Sequence, residues 1–156
     1  MIKIVNYFLI PVLIFLSAYC GGIITNRGMN WYKKLKLPSF TPPGYFIGFV
    51  WTIIFILLAV SIIIASLDLS GNVLLWLVAL FILNLIMNFL WSELFFGRHL
   101  IGLAVIESLL LEFSVLALII YIWPISVLAA ALLFPYAGWV GFATGLTYVI
   151  WLLNKR

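Results

Sequence analysis

Charge is what this sequence has least of: eight Lys and Arg and four Asp and Glu among 156 residues, or 8%. A soluble domain carries about 25% charged residues and could not coat its surface with so few. Cysteine and histidine are equally scarce, Cys20 and His99 each standing alone. One cysteine closes no internal disulfide. One Cys with one His supplies no ordinary zinc, haem or iron–sulfur ligand set and no Cys–His nucleophile pair, so no metal site is expected. Polar–apolar alternation is missing too, which speaks against a β-barrel. What the chain does have is apolar bulk, 67% hydrophobic residues with a mean hydropathy of +1.34. Disorder, coiled coil and collagen are excluded by those numbers, and lipid must serve as most of the solvent. The net charge of +4 does not imply a nucleic-acid partner. In so apolar a chain, basic residues mark membrane topology and a lipid-facing surface.

A bilayer core of about 30 Å needs roughly 20 apolar residues per helix at about 1.5 Å each. Five segments meet that requirement: 4–25, 43–67, 72–95, 100–122 and 125–153. The predicted fold class is therefore all-α, a polytopic bundle of five transmembrane helices in a single domain over 1–156. Pro42 and Pro43 open the second helix, where missing amide donors cost nothing. Asp68-Leu69-Ser70-Gly71, Gly97-Arg98-His99 and Trp123-Pro124 read as tight turns, so consecutive helices pack antiparallel. Pro11 and Pro135 fall inside the first and fifth helices and predict kinks there. The first apolar run, led by Lys3, is long enough to be a retained span rather than a cleaved leader.

The one long connection, 26–42, carries Trp31, Tyr32 and Leu37-Pro-Ser-Phe-Thr-Pro-Pro43. It reads either as a stiff lid over the bundle mouth or as an anchor laying Lys33, Lys34 and Lys36 on lipid phosphates, and the lid reading is preferred. Seven of the eight basic residues (Arg27, Lys33, Lys34, Lys36, Arg98, Lys155 and Arg156) fall on the side of this loop. That asymmetry predicts an amino terminus outside and a carboxyl terminus in the cytoplasm.

Polar groups inside spans are expensive and need partners. Glu93 can pair with Arg98 near the cytoplasmic end of the third helix. Glu107 and Glu112 are five residues apart on the fourth, about 140° around it, so they form no carboxylate pair. Structural satisfaction is favoured for them over a proton relay. Asn84 and Asn88, at i and i+4, share one face of the third helix, and Trp91 extends it. Interhelical glue and ligand contact both remain open for these asparagines. Of seven Trp, Trp31, Trp76, Trp123 and Trp151 sit where an interfacial belt is expected. Trp51, Trp91 and Trp139 instead fall within spans. Indoles and amides from several helices then meet in the cytoplasmic half, which suits a cavity for a flat, mostly apolar ligand with a polar rim. Ser17/Gly21, Ala18/Gly22, Gly44/Gly48 and Gly141/Gly145 permit close helix approach.

Three stretches carry a resemblance. Leu37-Pro-Ser-Phe-Thr-Pro-Pro-Gly-Tyr-Phe-Ile-Gly-Phe-Val-Trp51, Asn88-Phe-Leu-Trp91 with Phe95-Phe96-Gly97, and Phe134-Pro-Tyr-Ala-Gly-Trp139-Val-Gly-Phe-Ala-Thr-Gly-Leu146-Thr-Tyr148 resemble, in order, the signatures of one family. That family is the tryptophan-rich sensory protein or translocator protein family, also called the peripheral benzodiazepine receptor family. The likeness runs from about Gly21 to Trp151 and is to bacterial-type members. It implies a homodimeric five-helix bundle in the cell membrane, a stress- and tetrapyrrole-sensing role, and no tightly bound cofactor. Protoporphyrin IX is implied as ligand or substrate, alongside synthetic isoquinoline carboxamide and benzodiazepine ligands and the lipid bilayer. It places ligand contacts on Trp51, Trp139, Asn84, Tyr32, Ala143 and Leu146, with Asn88, Trp91 and Phe55 as further candidates. Trp51 and Trp139 would couple to any light-dependent porphyrin oxidation, and transport of porphyrins or other small apolar ligands is the alternative role. The chain departs from the family pattern at Phe40, where many members have Trp, at Leu103, where animal members have Trp, and at Thr147, where Asn is frequent. Six residues separate Tyr148 from Lys155, one too many for the sterol motif of animal members.

Overall fold

The computed structural model describes residues 2–67 and 69–155, with side chains from Tyr7 onward. The side chain of Lys3, and Asp68 and Arg156, lie outside the described residues. The elements are α1 (Ile2–Tyr32), α2 (Gly44–Ser66), α3 (Gly71–Ser92), α4 (Ile101–Ile122), α5 (Val127–Ala131) and α6 (Phe134–Asn154). α5 and α6 together make one crossing, so five stretches are long and apolar enough to span a bilayer. No strand occurs among the described residues. The protein is an all-α polytopic membrane protein.

Three boundaries differ from the sequence reading, each for a local reason. The first helix continues past residue 25 to Tyr32, so Trp31 and Tyr32 stand on its last turn, and the loop shrinks to residues 33–43. Gly28 makes this extension possible. A Cβ there would run into the Phe96 carbonyl oxygen and lie 2.8 Å from the Phe96 Cβ, so α1 presses backbone to backbone on the end of the third span. Second, that end is wound as a π-helical turn, Glu93–Gly97, with the Arg98 N–H reaching back to the Glu93 carbonyl at 2.8 Å. Such a turn inserts an extra residue and rotates the side chains beyond it. Third, the fifth span is interrupted rather than kinked. The clash of an interior proline is avoided by restarting the helix. Pro135 lies in the first turn of α6, where its missing donor costs nothing, and Leu133 closes α5 through a 3.0 Å bond to Ala130.

Outward faces are apolar, as lipid requires: Phe8, Phe15, Phe113 and Ile120 are all exposed. The inner core runs through Leu58, Ile62, Leu77, Phe81, Val115, Leu118, Ile122, Ala129 and Leu133. Because lipid tails are as greasy as these side chains, association rests on close packing and interhelical hydrogen bonds. Ser61, fully buried, donates to the Ala129 carbonyl at 2.7 Å and ties α2 to the short α5.

Candidate functional site

At the loop end the bundle is hollow. A cavity of about 1060 Å³ lies under residues 33–43, with walls from α1, α2, α3, α4 and α6. Of the nine positions expected to contact a ligand, eight line it: Tyr32, Trp51, Phe55, Asn88, Trp91, Trp139, Ala143 and Leu146. Asn84 does not. It is fully buried one turn deeper, where its amide donates to Ser114 Oγ at 2.8 Å and its carbonyl accepts from Tyr136 at 3.1 Å. These two bonds join α3, α4 and α6. Asn88 divides its allegiance, lining the cavity while its Nδ2 donates to Tyr136 at 3.4 Å.

The three in-span indoles are held by other rings. Trp51 meets Tyr136 edge-on at 6.0 Å and Phe55 at 5.6 Å. Trp91 stacks on Phe95, which belongs to the π-turn, at 5.2 Å and 13°. Trp139 lies 5.4 Å from Phe142 and 6.3 Å from Phe46. The ring nitrogens of Trp91 and Trp139 are buried without a partner among the described residues. Each is a donor that a ligand acceptor would satisfy.

The loop is a fitted strap. Leu37, Pro38, Thr41, Pro42 and Pro43 line the cavity, as the lid reading expects, while Lys34 and Lys36 stay outside its walls. Thr41 bonds the Pro38 carbonyl through its amide and, at 2.7 Å, its hydroxyl. Asn154, at the end of α6, grips the Lys36 backbone twice, accepting from its N–H at 3.0 Å and donating to its C=O at 2.9 Å. Beneath, Leu35 packs with Trp31, Tyr32 and Ile150 in a second apolar cluster.

Other expectations fall less neatly. Glu93 pairs with Arg98 at 3.1 Å as its sequence neighbourhood suggests. Glu107 is buried on α4, and neither carboxyl oxygen finds a partner among the described residues. Trp31 is more than a belt residue, since it stacks on His99 at 4.1 Å. Of the small-residue pairs, Gly22, Gly44 and Gly48 line the cavity, and a Cβ on any of them meets nothing within 4 Å. They make room rather than helix contacts. Sequence reasoning missed Tyr136 and Ser114, whose importance comes only from what the fold places beside them.

A family model described as TspO/MBR matches residues 8–152. The chain belongs to the TspO/MBR family. Among similar members is the tryptophan-rich protein TspO of Archaeoglobus fulgidus, 35% identical over 138 residues, covering 88% of this chain and 89% of that one. The translocator protein of Homo sapiens is 31% identical over 142 residues, covering 89% and 84%. Protein CrtK of Rhodobacter capsulatus is 30% identical over 144 residues, covering 90% and 89%. The likeness spans every element that walls the cavity.

Proposed function

We propose that this family member binds and senses tetrapyrroles such as protoporphyrin IX from within the cell membrane, and admits isoquinoline carboxamide and benzodiazepine-type drugs to the same cavity. The carrying observation is the cavity itself, about 1060 Å³, bounded by Trp51, Trp91 and Trp139 and covered by a proline-rich strap. Ligand sites commonly enclose about 300–1,000 Å³ of mostly apolar space with a few convergent polar groups. Flat indole faces complement a planar macrocycle by stacking. The basic residues around the mouth (Lys33 lines it) would attract the carboxylates such a ligand carries. Replacing Trp51 and Trp139 together by Phe should weaken protoporphyrin IX binding by about tenfold or more, since each indole contact contributes on the order of 1 kcal/mol. Unchanged affinity in a titration of the purified double variant would overturn the assignment.

Light- and oxygen-dependent degradation of the bound porphyrin is a second reading, favoured by the edge-on contact of Trp51 with Tyr136, two oxidisable rings beside the cavity. A defined product formed faster than from free porphyrin, and lost in the double variant, would support it. A homodimer, and an amino terminus outside with the carboxyl terminus cytoplasmic, complete the proposal; the orientation rests on the basic residues gathered at the loop end. A reporter fused after the last residue should be active in the cytoplasm.

A further inference from the structure

Away from the cavity, the seam between α1 and the π-turn carries charges that the proposed function does not use. A pocket of about 320 Å³ opens there, walled by Ile24, Arg27, Glu93, Phe96, Gly97 and His99. Its polar groups are of two kinds. Glu93 accepts from Arg98 Nε with one carboxylate oxygen, Oε1, at 3.1 Å. The other, Oε2, lies so close over Gly97 that a Cβ there would stand 2.7 Å from it. Oε2 has no hydrogen-bond partner among the described residues and is not sealed within the packing. Arg27 is exposed and does not reach Glu93, since the Glu93–Arg98 pair is the only salt bridge among the described residues. His99 is firmly set, its ring stacked on Trp31 at 4.1 Å and its backbone at φ 60°, a conformation that a non-glycine residue keeps only where surrounding contacts hold it.

The wall therefore offers an anion the donors of a guanidinium and an imidazole N–H, and offers a cation a free carboxylate oxygen. A simple anion would be opposed by Glu93, and a simple cation by Arg27. A zwitterion answers both. Along α1, Ile24, Cys20 and Leu16 follow Arg27 at steps of three and four residues and so share its face. Cys20 and Leu16 are exposed toward lipid, so a molecule entering this pocket has an apolar track for a tail. We propose that the pocket binds the headgroup of a phosphatidylethanolamine-type membrane lipid. Its phosphate meets Arg27 and His99, its primary ammonium meets Glu93 Oε2, and an acyl chain lies along Ile24, Cys20 and Leu16. Guanidinium geometry matches phosphate oxygens in pairs. A trimethylammonium headgroup carries the same charges but has no N–H for the carboxylate, and an anionic headgroup without an amine leaves Glu93 unanswered.

The test measures binding of the first lipid by native mass spectrometry of the full chain in detergent, using dioleoyl lipids that differ only in headgroup. Phosphatidylethanolamine should bind about fivefold more tightly than phosphatidylcholine or phosphatidylglycerol, the open setting keeping the gain below that of a buried pair. Glu93→Gln, which keeps the size and removes the charge, should bring phosphatidylethanolamine down to the level of phosphatidylcholine. Arg27→Gln should weaken all three lipids severalfold. The headgroup comparison on the unaltered chain needs neither variant, so it decides even if one does not fold. Equal binding of the three lipids, tighter binding of phosphatidylglycerol than of phosphatidylethanolamine, a preference that survives Glu93→Gln, or an affinity that Arg27→Gln leaves unchanged overturns the proposal. Displacement of the lipid by an equal concentration of soluble glycerophosphoethanolamine overturns the assignment to a membrane lipid.

Discussion

The two ends of the bundle are built on opposite principles. At the end with the short turns, side chains fill the space between helices: Leu58, Leu77, Leu118, Ile122, Ala129 and Leu133 are all fully buried. At the loop end the same helices part around a cavity of about 1060 Å³, and glycines line walls where bulk would be expected. Between them lies the polar chain of Asn84, Asn88, Ser114 and Tyr136. A solid end fixes the helix positions, and that rigidity lets the other end stay open without collapsing. Stability and binding are thus separated along the bundle axis, so substitutions should sort by which end they strike.

The largest effect on stability is expected at the solid end. Phe81 is buried to 1%, and Phe81→Ala would leave a void that its neighbours cannot fill. In soluble proteins this costs about 3–5 kcal/mol. Here the separated helices remain in lipid, so transfer from water does not contribute, and a loss of about 2–3 kcal/mol is expected from lost packing alone. Denaturant unfolding in mixed micelles measures it, and Phe55→Ala at the cavity supplies the contrast, with far less than that loss. Similar losses at both positions would erase the distinction between the ends.

A smaller effect separates two glycines on the same principle. Gly28 touches the Phe96 backbone, whereas a Cβ on Gly48 meets nothing within 4 Å. Gly28→Ala must therefore push α1 away from the π-turn, at a cost of about 1–3 kcal/mol typical of overpacking. Gly48→Ala should leave the unfolding midpoint almost unchanged. Equal tolerance of both would mean that α1 does not press on the third span as described.

These contrasts also show what was legible beforehand. The five crossings, the short turns and the placement of Trp51, Trp91 and Trp139 within spans follow from run length and punctuation, since an apolar run of about 20 residues has little choice in a bilayer. The polar site was only half legible. Asn84 and Asn88 share a face at i and i+4, so spacing treats them alike, yet one reaches the cavity and the other bonds Ser114 across 30 residues. Depth and partner decide between them, and neither is a local property. The π-turn is likewise silent in sequence, because Glu93 to Gly97 would wind as well into an ordinary helix until Gly28 and Trp31 pack against it.

The finest distinction concerns how the open end is closed. Asn154 holds the strap through two bonds to the Lys36 backbone and keeps a third to Ile150. All three sit near the surface, where water competes, so each contributes about 0.5–1.5 kcal/mol at most. Asn154→Leu preserves side-chain bulk but removes the grip. The solid end is untouched, so the unfolding midpoint should shift little. The strap would open more often, and protoporphyrin IX should leave severalfold faster, with equilibrium affinity falling less because entry speeds up too. Stopped-flow displacement reads both rates. An unaltered dissociation rate would show that Leu35, packed in the cluster with Ile150, holds the strap without help from the amide.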